Sequence, residues 1–245
     1  MCQKAGDWMY CFESVVRYSE LDADGRMSLT AILNLLQDCC TFQSEEIGIG
    51  VAFLQRERRA WVLSSWQVVV NRYPGMGEKL YSYTWPYGFK GFLGFRNFKI
   101  EDGKGETVAY ANSIWTYLDT EKKIPVKVPK EVKERYVFEP PYEMECAGRK
   151  IRTEEGMLPG EPVRAGRLYL DTNRHVNNGK YVAIAAECLP EGFKARQLRA
   201  EYKMEAHLSD MIYPKSKAFG NRVLVSLENS EQKPYAVVEF WEEDV

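Results

Sequence analysis

Leu170-Asp171-Thr172-Asn173-Arg174-His175-Val176-Asn177 follows Leu21-Asp22-Ala23-Asp24-Gly25-Arg26-Met27-Ser28 by 149 positions (171 − 22), with Asp171 on Asp22 and His175 on Arg26. Each octet reads as a polar turn that ends on a residue able to cap a helix, Ser28 in one and Asn177 in the other, because both side chains accept a bond from an unpaired N–H of the first turn. After Ser28, Leu29, Ile32, Leu33, Leu36 and Cys40 recur at helical spacing and predict one apolar stripe. The second helix is predicted over 177–189. Strand-like runs flank both helices. After the first come 60–73, 78–87, 92–101 and 107–118, with turn signals at Pro74-Gly75, Gly88 and Asp102-Gly103. Around the second come 162–169, 195–207, 211–219, 222–227 and 235–241. The same strand, turn, helix and sheet order twice in one chain is most economically two copies of one α+β module.

A stretch from Asp119 to Pro162 breaks this pattern with Pro125, Pro129, Pro140, Pro141, Pro159 and Pro162 among charged residues, as an interdomain connection would. The expected division is 1–130 for the first module, 131–161 for the connection and 162–245 for the second module. Chain length and a hydrophobic content of 45% suffice for two small cores. No apolar run approaches the roughly 20 residues of a membrane-spanning helix, and Met1 to Trp8 carries no apolar leader segment, so a cytoplasmic location is expected. The six cysteines show no paired spacing and are expected to be reduced. Two histidines without HExxH or paired cysteines give a metal site little to be built from; neither a metal nor another cofactor is expected. A net charge of −2 gives no global attraction to nucleic acid or anionic lipid, so an acidic partner must be met by a local patch.

The chemistry-bearing residues gather at the second octet. Asp171, Asn173 and His175 alternate through the turn, and the helix start behind them presents N–H groups that favour negative charge. A carbonyl placed there finds donors for a developing oxyanion, with the Asn173 amide as a further one. His175 has a side chain suited to proton transfer near neutral pH. Glu205 falls in the run Tyr202 to His207, where alternation puts Lys203, Glu205 and His207 on one face. Asp and Asn are also ordinary turn formers, and on these residues alone a structural role stands beside the catalytic one.

The segment from Leu170 to Tyr181, with Glu205 after Glu201-Tyr202, resembles the signature of acyl-ACP thioesterases. The resemblance extends to Val16-Arg17-Tyr18-Ser19-Glu20-Leu21-Asp22, Arg59-Ala60-Trp61-Val62-Leu63 and Lys123-Ile124-Pro125. It implies a tandem double hotdog, each copy a long helix wrapped by a curved antiparallel β-sheet, with the reaction in the second copy. It further implies hydrolysis of the thioester of a fatty acyl group on acyl carrier protein. Asp171, Asn173, His175 and Glu205 take the family's catalytic positions. Plant-type members carry a cysteine after the glutamate, where this chain has Ala206, so a nucleophilic cysteine there is ruled out. Cys188 lies about 18 Å along the helix and reads as core.

The first copy has Asp24 for Asn173, Arg26 for His175 and, at an offset of 134, Asn71 for Glu205, and is expected to do no chemistry. Its aromatics Trp61, Trp66, Trp85, Phe89, Phe92 and Phe95 suit an acyl-chain channel or an ordinary sheet core equally. Arg56, Arg58, Arg59, Lys194, Arg196 and Arg199, with Lys122, Lys123 and Lys127 behind them, are candidates for a basic landing surface. Two alternatives use the same residues: an acyl-CoA thioesterase, and a hotdog that binds acyl chains without cleaving them. The sequence leaves a homodimer open, along with chain-length and unsaturation preference.

Overall fold

The computed structural model describes residues 9–242; the segment read for a leader, 1–8, lies outside the described residues. The chain divides into two compact units, Met1–Leu63 with Val70–Cys146 and Ser64–Val69 with Ala147–Val245. Among the described residues no helix is long and apolar enough to cross a membrane.

The first unit contains β1 (Tyr10–Val15), α1 (Leu29–Glu46), α2 (Val51–Arg56), most of β2 (Arg59–Val70), β3 (Lys79–Lys90), β4 (Leu93–Asp102), β5 (Thr107–Asp119), β6 (Ile124–Pro125) and α3 (Lys130–Lys133), with residues 64–69 of β2 assigned to the other unit. β1, β3, β4 and β5 are antiparallel neighbours in that order, and β6 adds to β5. Ser28 caps α1 by accepting from the Ala31 N–H at 3.2 Å. The apolar stripe then faces β3, where the Cys39 thiol reaches the Ser82 carbonyl at 3.2 Å. Ile32 and Leu36 are fully buried, and burial of each such side chain contributes about 1.5–3 kcal/mol. Gly88 is not a turn. It lies within β3 at a register shift after Pro86, and the chain reverses instead at Gly91-Phe92, where Gly91 takes a φ of 63°. Proline cannot donate to a ladder, which is why β3 bulges at this point.

The second unit contains β7 (Leu158–Pro159), β8 (Val163–Arg164), α4 (Asn178–Ala186), β9 (Gln197–Tyr202), β10 (Met211–Phe219), β11 (Arg222–Glu228) and β12 (Pro234–Trp241). Residues 65–69 of β2 pair with β9, followed antiparallel by β12, β11 and β10, with β7 and β8 on the far side of β10. The continuous strand predicted over 162–169 is absent. Gly160-Glu161-Pro162 splits that edge into two-residue pieces, and a 3-10 turn follows at Arg167–Tyr169. The strand predicted over 195–207 ends at Tyr202, so Glu205 and His207 lie on the loop beyond it. α4 runs for 9 residues against 18 in α1. Each unit is a hotdog, an antiparallel sheet curved around its own helix, and the chain as a whole is an α+β double hotdog.

The proline-rich segment is mostly exposed but anchored on each unit in turn by a few buried residues. Its first part lies on the first unit, where Val128, Val132 and Tyr136 share a core with Ile49 and Tyr117, and Trp85 donates to the Pro140 carbonyl at 2.9 Å. Its second part lies on the second unit, where Ile151 packs with Leu224 and Val237 and its N–H donates to Glu201 at 2.9 Å. Cys39, Cys40, Cys146 and Cys188 are free thiols, as the cysteine spacing predicts. Cys11 departs from that expectation and is disulfide-bonded.

Candidate active site

The repeated octets fold into the same turn. Asp171 Oδ1 accepts from the backbone N–H groups of Asn173 at 2.8 Å and His175 at 3.1 Å; Asp22 Oδ1 accepts from Asp24 and Arg26, each at 3.0 Å. The Asp171 N–H returns to the His175 carbonyl at 2.8 Å, and the Asp22 N–H to that of Arg26 at 2.7 Å. Each turn needs one left-handed residue, Gly25 at φ 70° in the first copy and Arg174 at φ 64° in the second. Asp171 therefore holds the backbone beneath His175. The carboxylate oxygen is taken by two N–H groups because a short acidic side chain at this place bonds its own turn.

A second set of matching bonds corrects the alignment of the two copies. Val176 N–H donates to the Ala206 carbonyl at 2.9 Å, as Met27 N–H does to that of Pro74 at 2.7 Å. Ser209 N–H meets the Ala165 carbonyl at 2.9 Å, as Gly77 N–H meets that of Val16 at 3.0 Å. His207 N–H donates to Asp210 Oδ2 at 2.8 Å, as Gly75 N–H does to Glu78 Oε1 at 2.6 Å. The offset here is 132 (206 − 74). Tyr73 therefore stands for Glu205 and Gly75 for His207. Asn71, expected opposite Glu205, is two residues away, and its amide donates to the Thr107 carbonyl at 2.9 Å.

The loop that carries Glu205 is fixed by its neighbours. The N–H groups of Lys203 and Met204 share the Tyr235 carbonyl at 2.8 and 3.2 Å, and the buried Ala206 N–H donates to the Tyr181 hydroxyl of α4 at 2.8 Å. Tyr202 donates from its hydroxyl to the Asn178 carbonyl at 3.1 Å, tying the end of β9 to the helix start. Burial pushes both phenols well above their usual range, so they remain neutral hydroxyls. Held this way, Glu205 Oε2 lies 3.3 Å from His175 Nε2, with side-chain exposures of 34% and 27%. Both groups are reachable by water and by a substrate.

His207 completes the cluster, its ring edge-on to His175 with centroids 4.9 Å apart. The chain has two histidines and the fold brings them together. The sequence reading placed His207 beside Glu205 but assigned it no part; its spacing of two from Glu205, and the rarity of histidine here, were the available signal. Asn173 sits exposed on the turn. The helix start is less open to an anion than its sequence suggests, because Gly179 N–H is bonded to Asn177 Oδ1 at 2.8 Å and Lys180 N–H to the Asn177 carbonyl at 2.9 Å.

Among the described residues no cysteine joins this cluster. Cys188 follows the end of α4 and burial raises its thiol above the ordinary range; burial also pushes Cys40 up to about 11. The first copy's aromatics divide. Trp61 stacks on Phe89 at 5.8 Å and lies 4.8 Å from Tyr117, packed on the core with Tyr136, and Trp85 is buried. Phe92 is 42% exposed. Trp66 belongs to the segment of β2 in the second unit and is buried there. Several candidates for a basic landing surface are already paired: Arg58 with Glu121 at 2.7 Å, Arg59 with Asp119 at 2.9 Å and Arg199 with Glu239 at 2.8 Å.

The chain is similar to a palmitoyl-acyl carrier protein thioesterase, chloroplastic, of Arabidopsis thaliana, at 29% identity over 211 residues, covering 78% of this chain and 50% of that protein. It spans about half the length of the curated relatives it matches. Its fold is similar to that of an acyl-ACP thioesterase from Bacteroides thetaiotaomicron, with a TM-score of 0.86 at 21% identity over 95% of this chain and 97% of the other. It is also similar to that of a 12:0-ACP thioesterase from Umbellularia californica, with a TM-score of 0.84 at 18% identity over 95% and 96%. The family model described as the acyl-ACP thioesterase N-terminal domain matches residues 9–136, more than half of the chain and the whole helix and sheet of the first unit, and on that match the chain belongs to the acyl-ACP thioesterase family.

Proposed function

We propose that this chain hydrolyses the thioester between a fatty acyl group and acyl carrier protein, releasing the free fatty acid and the pantetheine thiol. The observation that carries this reading is the contact of His175 Nε2 with Glu205 Oε2 at 3.3 Å, on a turn whose counterpart in the first unit has Arg26 and Tyr73. A module that folds with or without these groups retains them in one copy for their chemistry.

Glu205 takes a proton from a water molecule, and the resulting hydroxide attacks the thioester carbonyl carbon. The charge that develops on the carbonyl oxygen is met by the Asn173 amide and by the first N–H of α4. As the carbon–sulfur bond breaks, the proton held at Glu205 passes through His175 to the departing thiolate. Asp171 positions the turn. Matched acyl-ACP and acyl-CoA substrates test the assignment: kcat/KM is expected to be higher on the protein-bound thioester, and equal values would replace this reading with a general acyl thioesterase. A panel from about eight to eighteen carbons then gives chain preference, since each buried methylene is worth up to ~0.8 kcal/mol.

A further inference from the structure

We propose that His175, Glu205 and His207 form a binding site for a single Zn²⁺ ion, and that zinc held there switches hydrolysis off. One ligand atom from each of the three residues lies within 4.8 Å of the others. The His175–Glu205 pair is already at 3.3 Å, the separation that bonds of about 2.0–2.1 Å to a tetrahedral ion impose on its ligands. His207 is the exposed member of the three, and its ligand nitrogen has at most 1.5 Å (4.8 − 3.3) to close to reach the same separation. Two imidazoles and one carboxylate are a donor set for zinc rather than for magnesium or calcium, which favour all-oxygen sites. Partial exposure leaves a path for the ion and a fourth position for water. The first unit has Arg26, Tyr73 and Gly75 at these three places, a set that repels a cation.

The inhibitory half rests on the reading under Proposed function, because zinc would occupy the Glu205 oxygen that activates water and the His175 nitrogen that relays the proton. The binding half does not rest on it. The test uses untagged, chelator-treated protein titrated with ZnCl2, with MgCl2 as control, followed by a competing zinc indicator and by imidazole NMR. With two histidines in the chain, the spectrum has two imidazole signals to follow. One zinc per chain, a shift of both signals and an affinity at least about tenfold weaker in His207→Gln support the site. Unchanged affinity in a folded His207→Gln, a shift of one signal alone, or no binding tighter than about 100 µM overturns it. His207→Ala repeats the comparison should the glutamine itself ligate. In the assay, saturating zinc is expected to stop turnover, reversibly by EDTA and over the same zinc concentrations that fill the site in the indicator titration, while MgCl2 leaves turnover intact. Zinc bound at full occupancy with turnover intact overturns the switch. A protein that binds zinc but cleaves no thioester removes the hydrolase reading and leaves the metal site standing.

Discussion

Glu205 is held in place by the backbone on either side of it, and its neighbours determine what its removal does. With the loop pinned at Met204 and Ala206, Glu205→Ala and His175→Ala should each lower kcat by about 10²–10⁴-fold with KM little changed, the effect of losing acid–base assistance from an otherwise intact site. Steady-state kinetics checks this, and near-normal kcat in Glu205→Ala would sink the assignment. Cys188→Ala should leave the rate nearly unchanged, since partial burial raises its thiol away from the reactive thiolate. Arg174 occupies a left-handed conformation that Gly25 fills in the other copy, at an order-of-magnitude cost of 1 kcal/mol for a residue with a Cβ. At this scale Asp171, Asn173, His175 and Glu205 were legible as types at a spacing. The contact that brings His207 to His175 was not, because it depends on where β9 ends.

Each joint between elements is made by a few polar groups whose loss can be measured. Tyr181→Phe removes the acceptor for the buried Ala206 N–H and should cost about 1–3 kcal/mol in denaturant unfolding, with the rate falling as the Glu205 loop loses its anchor. The β4–β5 turn is pinned by Asp102, whose carboxylate accepts from Lys104 N–H at 2.8 Å and Glu106 N–H at 3.0 Å and pairs with Arg72 at 2.7 Å. The backbone bond from Glu106 and the guanidinium of Arg72 lower its pKa from 3.8 to about 2. A depressed carboxylate stabilises the fold above its unfolded value and loses that contribution as pH falls. The stability difference between the protein and Asp102→Asn should therefore be full above pH 4 and vanish as pH approaches 2, and urea titrations across that range read it directly. The elements themselves were largely legible: β10 has its predicted limits, and β4, β5, β11 and β12 end within one residue of theirs. Two failures fall where proline or glycine interrupts a ladder, at Gly88 and at Gly160-Glu161-Pro162, since period-2 patterning continues across a break that the missing N–H enforces, whereas the run over 195–207 stops at Tyr202 with no such residue to mark it.

The whole molecule is one module written twice, and on the proposed function the copies divide the work. Arg26→Ala in the first unit should leave hydrolysis within a few fold, whereas resizing Trp61 or Phe89 should move chain-length preference; a large rate loss from Arg26→Ala in folded protein would mean that the first unit is catalytic. The duplication was visible in the sequence through the octets alone, because their bonds are made within eight residues. The second offset, 132 rather than 134, was hidden because it is set by bonds between a turn and a distant loop. That shared bonding has an evolutionary meaning. The turn is a socket whose backbone closes in the same way around either set of side chains, so catalytic residues can be gained or lost there without redesigning the module. Grafting Asp24→Asn, Arg26→His, Tyr73→Glu and Gly75→His would make the silent copy a direct measure of how much of an enzyme such a socket can supply.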